Sequence, residues 1–261
     1  MYTKSDILMD LNALCIPKGK IVTVHTSLRA IGDIEGGGET LLEALLEAFV
    51  KEDGILAIPT HTWDSDVYDR RRFDSCIGTL PRLAAAHKEA VRTLHPTHSM
   101  AVFGNGERVE EFVKDEALSD TPANPKGCYG KLLAEEGVVL LVGVGQDKNT
   151  FLHCVEEMLD TPNRLTATKV KKTIIHRDGR EEVKELYWFD DSEISDVSVY
   201  FPKFEPAFRY HNAIVDGRVG NASVQICSSR KMKEVIELIY NRNNFKELLN
   251  NPKPIDKALY E

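Results

Sequence analysis

The chain has 261 residues and a formal net charge of −8, with 42% hydrophobic and 28% charged residues, which suits a globular protein with one large domain and a sizeable core. An acidic chain is a poor match for a polyphosphate backbone, so nucleic acid is not an expected partner, although a cationic small molecule is compatible. No run approaches the roughly 18–20 apolar residues that span a bilayer, no leader pattern opens the sequence, and the scattered cysteines include no C-x-x-C pair, so the expectation is a cytoplasmic protein with no membrane partner, disulfide framework or structural metal.

In chain order, residues 5–14 read as a short helix. Ile21-Val22-Thr23-Val24-His25 is β-branched and predicts a strand. A glycine-rich loop follows over residues 27–38. Leu41, Leu42, Leu45, Leu46 and Phe49 then recur at helical spacing, and Gly54-Ile55-Leu56-Ala57-Ile58 predicts a second strand ended by Pro59. Strand, loop, helix and strand in this order make a βαβ unit with parallel pairing.

A polar segment spans residues 60–78. Residues 80–90 predict a helix, 100–103 a strand, and 107–114 and 129–136 helices. Val138-Val139-Leu140-Leu141-Val142-Gly143-Val144 is continuously apolar, as a strand covered on both faces should be. Asn149 or Thr150 can cap the next helix, running to residue 160. Residues 166–176 and 181–189 read as strands joined through Asp178-Gly179, a hairpin signal. A strand over 219–227 and a helix over 231–240 complete the reading. The fold class is α/β: one α/β/α domain over residues 1–261, with a mostly parallel central sheet and an antiparallel hairpin insertion at about 165–190.

Three stretches carry possible chemistry. In the first, His25-Thr26-Ser27-Leu28-Arg29-Ala30-Ile31-Gly32 follows a strand, and Gly36-Gly37-Gly38 leads into a helix. Glycines let backbone N–H groups approach an anion, a helix N-terminus favours negative charge, and Arg29 could bind a phosphate. A purely structural turn explains the same glycines. Neither the G-x-x-x-x-G-K-[ST] nor the G-x-G-x-x-G spacing is present.

In the second, His95-Pro96-Thr97-His98-Ser99 follows Leu94, and Pro96 restricts Leu94-His95 to extended conformations, so the stretch reads as a fixed loop rather than a helix. His95, His98 and Ser99 could contact a reacting group, or could simply hydrogen-bond the turn together. Ser99 lacks the G-x-S-x-G context of a nucleophile elbow.

In the third, Thr150-Phe151-Leu152-His153-Cys154-Val155-Glu156 opens a helix at the C-terminal edge of the most apolar strand, where open α/β sheets bind ligands. Leu152, Val155 and Leu159 share a core face. His153 and Glu156, three apart, share an adjacent one. A neutral imidazole suits removal of a proton near neutral pH, and a carboxylate would orient it; Glu156 and Glu205 are both candidates. A rim histidine without chemistry is the plain alternative. Cys154 points about 100° away from His153 on a helix, so it reads as a small buried residue rather than a nucleophile.

Together with Pro59-Thr60-His61-Thr62-Trp63 and Gly217-Arg218-Val219-Gly220-Asn221-Ala222, these stretches resemble the aminoglycoside 3-N-acetyltransferase family in order and spacing over nearly the whole chain. The resemblance implies an α/β/α domain that uses acetyl-coenzyme A as co-substrate, with no metal, to acetylate an amino group of a small-molecule amine, an aminoglycoside antibiotic. It implies coenzyme A contacts from Thr26, Ser27, Leu28, Arg29, Ala30 and Ile31, with His98 and Ser99 near the thioester. It implies His153 as general base, with Glu205 as an acidic partner; the tetrahedral oxyanion of such a transfer needs a donor, which backbone N–H groups or Ser99 could supply. Trp63, Asp64 and Glu156 fall on the acceptor side. Arg70-Arg71-Arg72 departs from what a polycation site calls for. The alternatives are therefore an N-acyltransferase acting on another amine, or a non-catalytic coenzyme A-binding protein. Oligomeric state is not legible.

Overall fold

The computed structural model describes residues 1–190, 196–244 and 252–261. The elements are, in order, α1 (Lys4–Ala13), β1 (Ile21–Thr26), α2 (Leu28–Ile31), α3 (Gly37–Phe49), β2 (Ile55–Pro59), β3 (Val67–Asp69), α4 (Thr79–Ala86), β4 (Val91–Arg92), β5 (Met100–Phe103), α5 (Gly106–Val113), α6 (Cys128–Ala134), β6 (Val138–Val142), α7 (Phe151–Met158), β7 (Val170–Ile175), β8 (Glu181–Leu186), α8 (Glu205–Tyr210), β9 (Ile214–Val219), β10 (Ala222–Ser228) and α9 (Ser229–Asn243).

The main sheet has seven strands in the order β4-β5-β2-β1-β6-β10-β9. Its centre, β2-β1-β6, is parallel, with Val22 opposite both Leu56 and Val138. β5 and β10 run against this direction, while β4 and β9 return to it. Most strands therefore point one way. Residues 21–24 of β1 and the apolar strands β2 and β6 are buried on both faces. Ile21, Ala57, Val139 and Leu141 join a core with residues of α5, α6, α7 and α9. Val22, Val24, Leu56, Ile58, Leu140 and Val142 join another with α1, α3 and α4. Period-two alternation along each strand thus feeds two helical layers.

The hairpin β7–β8 forms as expected, but it belongs to a separate three-stranded sheet, β3-β7-β8. The strand expected over 219–227 is instead a second hairpin, β9–β10, which turns at Gly220 with φ +57°. The Asn221 N–H donates to the Ile31 carbonyl at 3.0 Å. A Cβ at Gly220 would sit 2.7 Å from that same oxygen. The Gly-Asn pair is therefore a tight turn docked on the end of α2. α7 starts where the sequence places it, but neither Asn149 nor Thr150 caps it through a side chain. Thr150 itself is helical, and Asn149 donates to Gln146 Oε1 at 2.8 Å.

Candidate active site

At the C-terminal ends of β1 and β2 lies a cavity of about 610 Å³. β1 delivers His25 and Thr26, and the chain beyond β2 delivers His61 and Trp63. The His-Pro segment delivers His98, the first turn of α7 delivers His153, and the stretch after β8 delivers Trp188 and Phe189. Position on the sheet thus matches the expectation that ligands gather at the carboxyl ends of parallel strands.

His153 is 8% exposed and Glu156 is 4% exposed. His153 Nδ1 lies 3.1 Å from Glu156 Oε2, and Arg164 Nε donates to Glu156 Oε1 at 2.8 Å. The glutamate therefore compensates one cation and orients one imidazole at once. Phe189 and Phe201 pack on the ring with centroids at 4.4 and 4.8 Å. The side-chain hydrogen bond of His153 to a described residue runs through Nδ1, not Nε2, and His153 borders the cavity.

Several other imidazoles crowd the same wall. The His61 and His98 ring centroids are 4.5 Å apart, and Trp63 is tilted against both. Burial pushes His25 down to about 4, and holds His61 and His98 well below the ordinary histidine range, with neighbouring imidazoles adding to the effect. His95, just behind, is pushed down to about 3 by burial, Lys184 adding to it. These rings are neutral at neutral pH, so each offers one N–H and one lone pair. His25 Nε2, Thr26 Oγ1 and both nitrogens of His61 are buried without a partner among the described residues. Buried polar groups are normally paired, so these atoms suit a polar ligand or ordered water.

Other residues singled out in the sequence fall elsewhere. Ser99 is completely buried, and its hydroxyl donates to the Thr60 carbonyl at 3.0 Å. Backbone bonds from Thr60 N to Ser99 O and from Thr62 N to Thr97 O extend the β2–β5 pairing, which turns Ser99 away from the cavity. Glu205 does not meet His153. It opens α8, where Arg209 Nε donates to it at 2.9 Å while also binding Asp216. Glu156 lies beneath His153 rather than on the cavity wall. Asp64 is exposed and is not part of the lining, whereas Trp63 is.

Of residues 26–31, only Thr26 lines the cavity. Ser27 caps α2 by accepting from Ala30 N, Leu28 and Ala30 pack on the core, Ile31 is inside it, and Arg29 is exposed. The expected phosphate loop is largely a short capped helix. Cys154 is buried, and its thiol is pushed well up by that burial.

His61, Trp188, Phe189 and Arg164 had no assigned role in the sequence reading. His61 carried a usable signal, a polar residue just beyond a buried strand. Arg164 carried none, because only the chain reversal after α7 returns it to Glu156. Among the described residues no group of His, Cys, Asp and Glu side chains could hold a metal ion, and no helix is long and apolar enough to cross a membrane.

The family model for aminoglycoside 3-N-acetyltransferase matches residues 23–240. The SPbeta prophage-derived aminoglycoside N(3')-acetyltransferase-like protein YokD of Bacillus subtilis is 24% identical, over 94% of this chain and 95% of that protein. Aminoglycoside N(3)-acetyltransferase IX of Micromonospora chalcea is 29% identical, over 67% of this chain and 68% of its own length. A mutant of aminoglycoside acetyltransferase AAC(3)-IVa, solved with a gentamicin, superposes with a TM-score of 0.77 at 22% identity, covering 97% of this chain and 98% of that one. AAC-IIIb with CoASH gives 0.76 at 20% identity, covering 92% and 97%. At these identities the superpositions establish a shared fold.

Proposed function

The chain belongs to the aminoglycoside 3-N-acetyltransferase family of acyltransferases, and from that membership we propose that it transfers an acetyl group from acetyl-coenzyme A to an amino group of an aminoglycoside, with His153 as general base. The observation that carries this reading is the placement of His153 on the cavity wall with Nδ1, not Nε2, fixed by Glu156. The structures of relatives with CoASH and with a gentamicin support the choice of ligands.

The thioester is a co-substrate, and it supplies an activated acyl carbon. The residues available to hold it suit its chemistry. A pantetheine arm carries amides, and those buried atoms of His25, Thr26 and His61 offer donors and acceptors to amides. Trp63, Trp188 and Phe189 give the cavity apolar walls that exclude water around the reacting atoms.

His153 Nε2 takes the proton that the acceptor nitrogen releases as it attacks. Glu156 holds the ring in the Nδ1–H tautomer that leaves Nε2 free to accept, and stabilises the imidazolium that forms. Arg164 holds Glu156 in place through its other carboxylate oxygen.

The test is thiol release from acetyl-coenzyme A, measured against a panel of aminoglycosides and simple amines. Release that depends on an aminoglycoside, with an N-acetylated product found by mass spectrometry, is the expected result. Release with simple amines alone would replace the acceptor, and binding of acetyl-coenzyme A without release in any mixture would overturn the enzymatic reading.

A further inference from the structure

We propose that His98 is the oxyanion donor of this site: a neutral imidazole locked with its proton on Nε2, aimed at the acyl oxygen, by a relay through Thr97, His95 and Thr121. The proposal rests on the acetyl-transfer reading above.

The relay fixes each proton in turn. His95 Nε2 lies 3.0 Å from the Thr121 carbonyl oxygen, which can only accept, so Nε2 carries the hydrogen. The His95 Nδ1 lone pair then faces the backbone N–H groups of His98 at 3.0 Å and Thr97 at 3.3 Å. With that lone pair already used, the Thr97 hydroxyl at 3.2 Å has little to gain there. Its other neighbour is His98 Nδ1, at 2.9 Å. The hydroxyl donates to that nitrogen, which places the remaining proton of a neutral His98 on Nε2.

The hydrogen bonds of His98 to described residues run through its backbone N–H and Nδ1, not Nε2, and His98 borders the cavity. Its ring is wedged among His61, Trp63 and Phe189, and Phe189 also packs on His153. Donor and general base therefore pack against the same aromatic ring. Burial keeps His98 uncharged, so it contributes a fixed dipole rather than a proton. A donor held in place before the reaction needs no reorganisation as charge develops. Ser99, the other candidate for this role, has its hydroxyl committed to Thr60.

In the step itself the acceptor nitrogen's lone pair forms the C–N bond, and the carbonyl π pair moves onto oxygen, where His98 Nε2–H meets it. The proton lost by nitrogen goes to His153. The oxygen's pair then re-forms the C=O bond as the C–S bond breaks. The sulfur leaves with that bond pair and takes the proton back from His153. His98 keeps its own proton throughout.

Two measurements on the full chain test this. The first is nitrogen NMR of the unmutated protein labelled in its 8 histidines, with His98 assigned through His98→Phe or, if that variant does not fold, His98→Gln. His98 should appear as the Nε2–H tautomer. Thr97→Val should convert it to a mixture or to the Nδ1–H form. The second is steady-state kinetics. His98→Phe keeps an aromatic ring but loses the donor, and should lower kcat about 10²–10³-fold with KM for acetyl-coenzyme A little changed. His98→Gln restores an N–H and should recover part of the loss, while Thr97→Val should lower kcat by a smaller factor. A His98 that is Nδ1–H in the unmutated chain, or a folded His98→Phe variant that shows no change in kcat, would overturn the proposal. If the unmutated chain acetylates no amine, the acetyl-transfer reading fails and the donor role fails with it, but the tautomer is still read independently by NMR.

Discussion

His153 Nδ1 and Glu156 Oε2 lie 3.1 Å apart, one turn along α7. A spacing of three residues brings the two side chains together on the helix surface, so the pair needs no long-range packing to form. What the rest of the chain adds is Arg164, which approaches from outside the helix and holds the other carboxylate oxygen.

If His153 is the general base, His153→Ala should lower turnover by about 10²–10⁴-fold, the scale of lost acid–base catalysis. Glu156→Gln should show a smaller loss, because the imidazole keeps a ring nitrogen but loses its anionic orienter. Glu205→Ala should leave turnover near that of the unmutated chain, since its carboxylate serves Arg209 on α8. Thiol-release rates on the three purified variants check this, and a Glu205→Ala loss larger than that of Glu156→Gln would reverse the assignment.

Ser99→Ala removes a hydroxyl that is buried against Thr60. The expected result is a loss of about 1 kcal/mol in folding stability by urea titration, the net worth of a buried hydrogen bond. Turnover should stay within the same order of magnitude. A large fall in kcat with unchanged stability would return Ser99 to the reaction.

Stability should depend on pH in a defined direction. His25 and His95 are pushed down to about 4 and about 3 from an ordinary value of 6.5, and His61 and His98 are shifted the same way. The unfolded chain therefore binds protons that the folded chain refuses. The stability these groups allow is fully present above 6.5 and falls as pH drops below it. Glu157 has the opposite sign. Burial pushes it up to about 7 from 4.5, so it costs stability as pH rises through that window. Four imidazoles outweigh one carboxyl, and urea titrations should show a net loss from pH 7 to pH 5. Relative to the unmutated chain, Glu157→Gln should be more favourable at pH 8 than at pH 5. Parallel curves for the two proteins would contradict this account of Glu157.

Arg92 is buried, and it donates to the carbonyls of Arg72 at 3.0 Å, Asp74 at 2.8 Å and Thr60 at 3.2 Å, with its guanidinium 4.7 Å from the Tyr68 ring centroid. It ties the polar segment after β2 to the sheet edge, and that segment carries Trp63 and Ile77 on the cavity wall. Arg92→Met keeps the stem and abandons the carbonyls. It should cost about 3 kcal/mol and open the stretch between Trp63 and Ile77 to proteolysis. Unchanged melting and an unchanged cleavage pattern would show that the segment is held by other contacts.

The sequence by itself determined what depends on local period and neighbouring residues. The continuous apolar run of β6 specified a strand covered on both faces, the β-branched residues of β1 specified a strand, and Asp178-Gly179 specified the insertion hairpin. The three-residue spacing of His153 and Glu156 specified a pair on one helix. Only the tertiary structure decided which polar side chains face the cavity. His98 closes the turn over residues 96–98 and Ser99 leads out of it into β5, so the two adjacent side chains part. Pairing with Thr60 buries Ser99, while His98 is left on the wall. Glu205 carries as plausible a carboxylate as Glu156, but α8 gives it Arg209. Arg164 and Phe189 reach His153's surroundings only through chain reversals that no periodicity encodes. Local spacing fixes neighbours within an element. Which element's end meets another is set by how two apolar faces of a sheet are covered, and that depends on every segment of the chain at once.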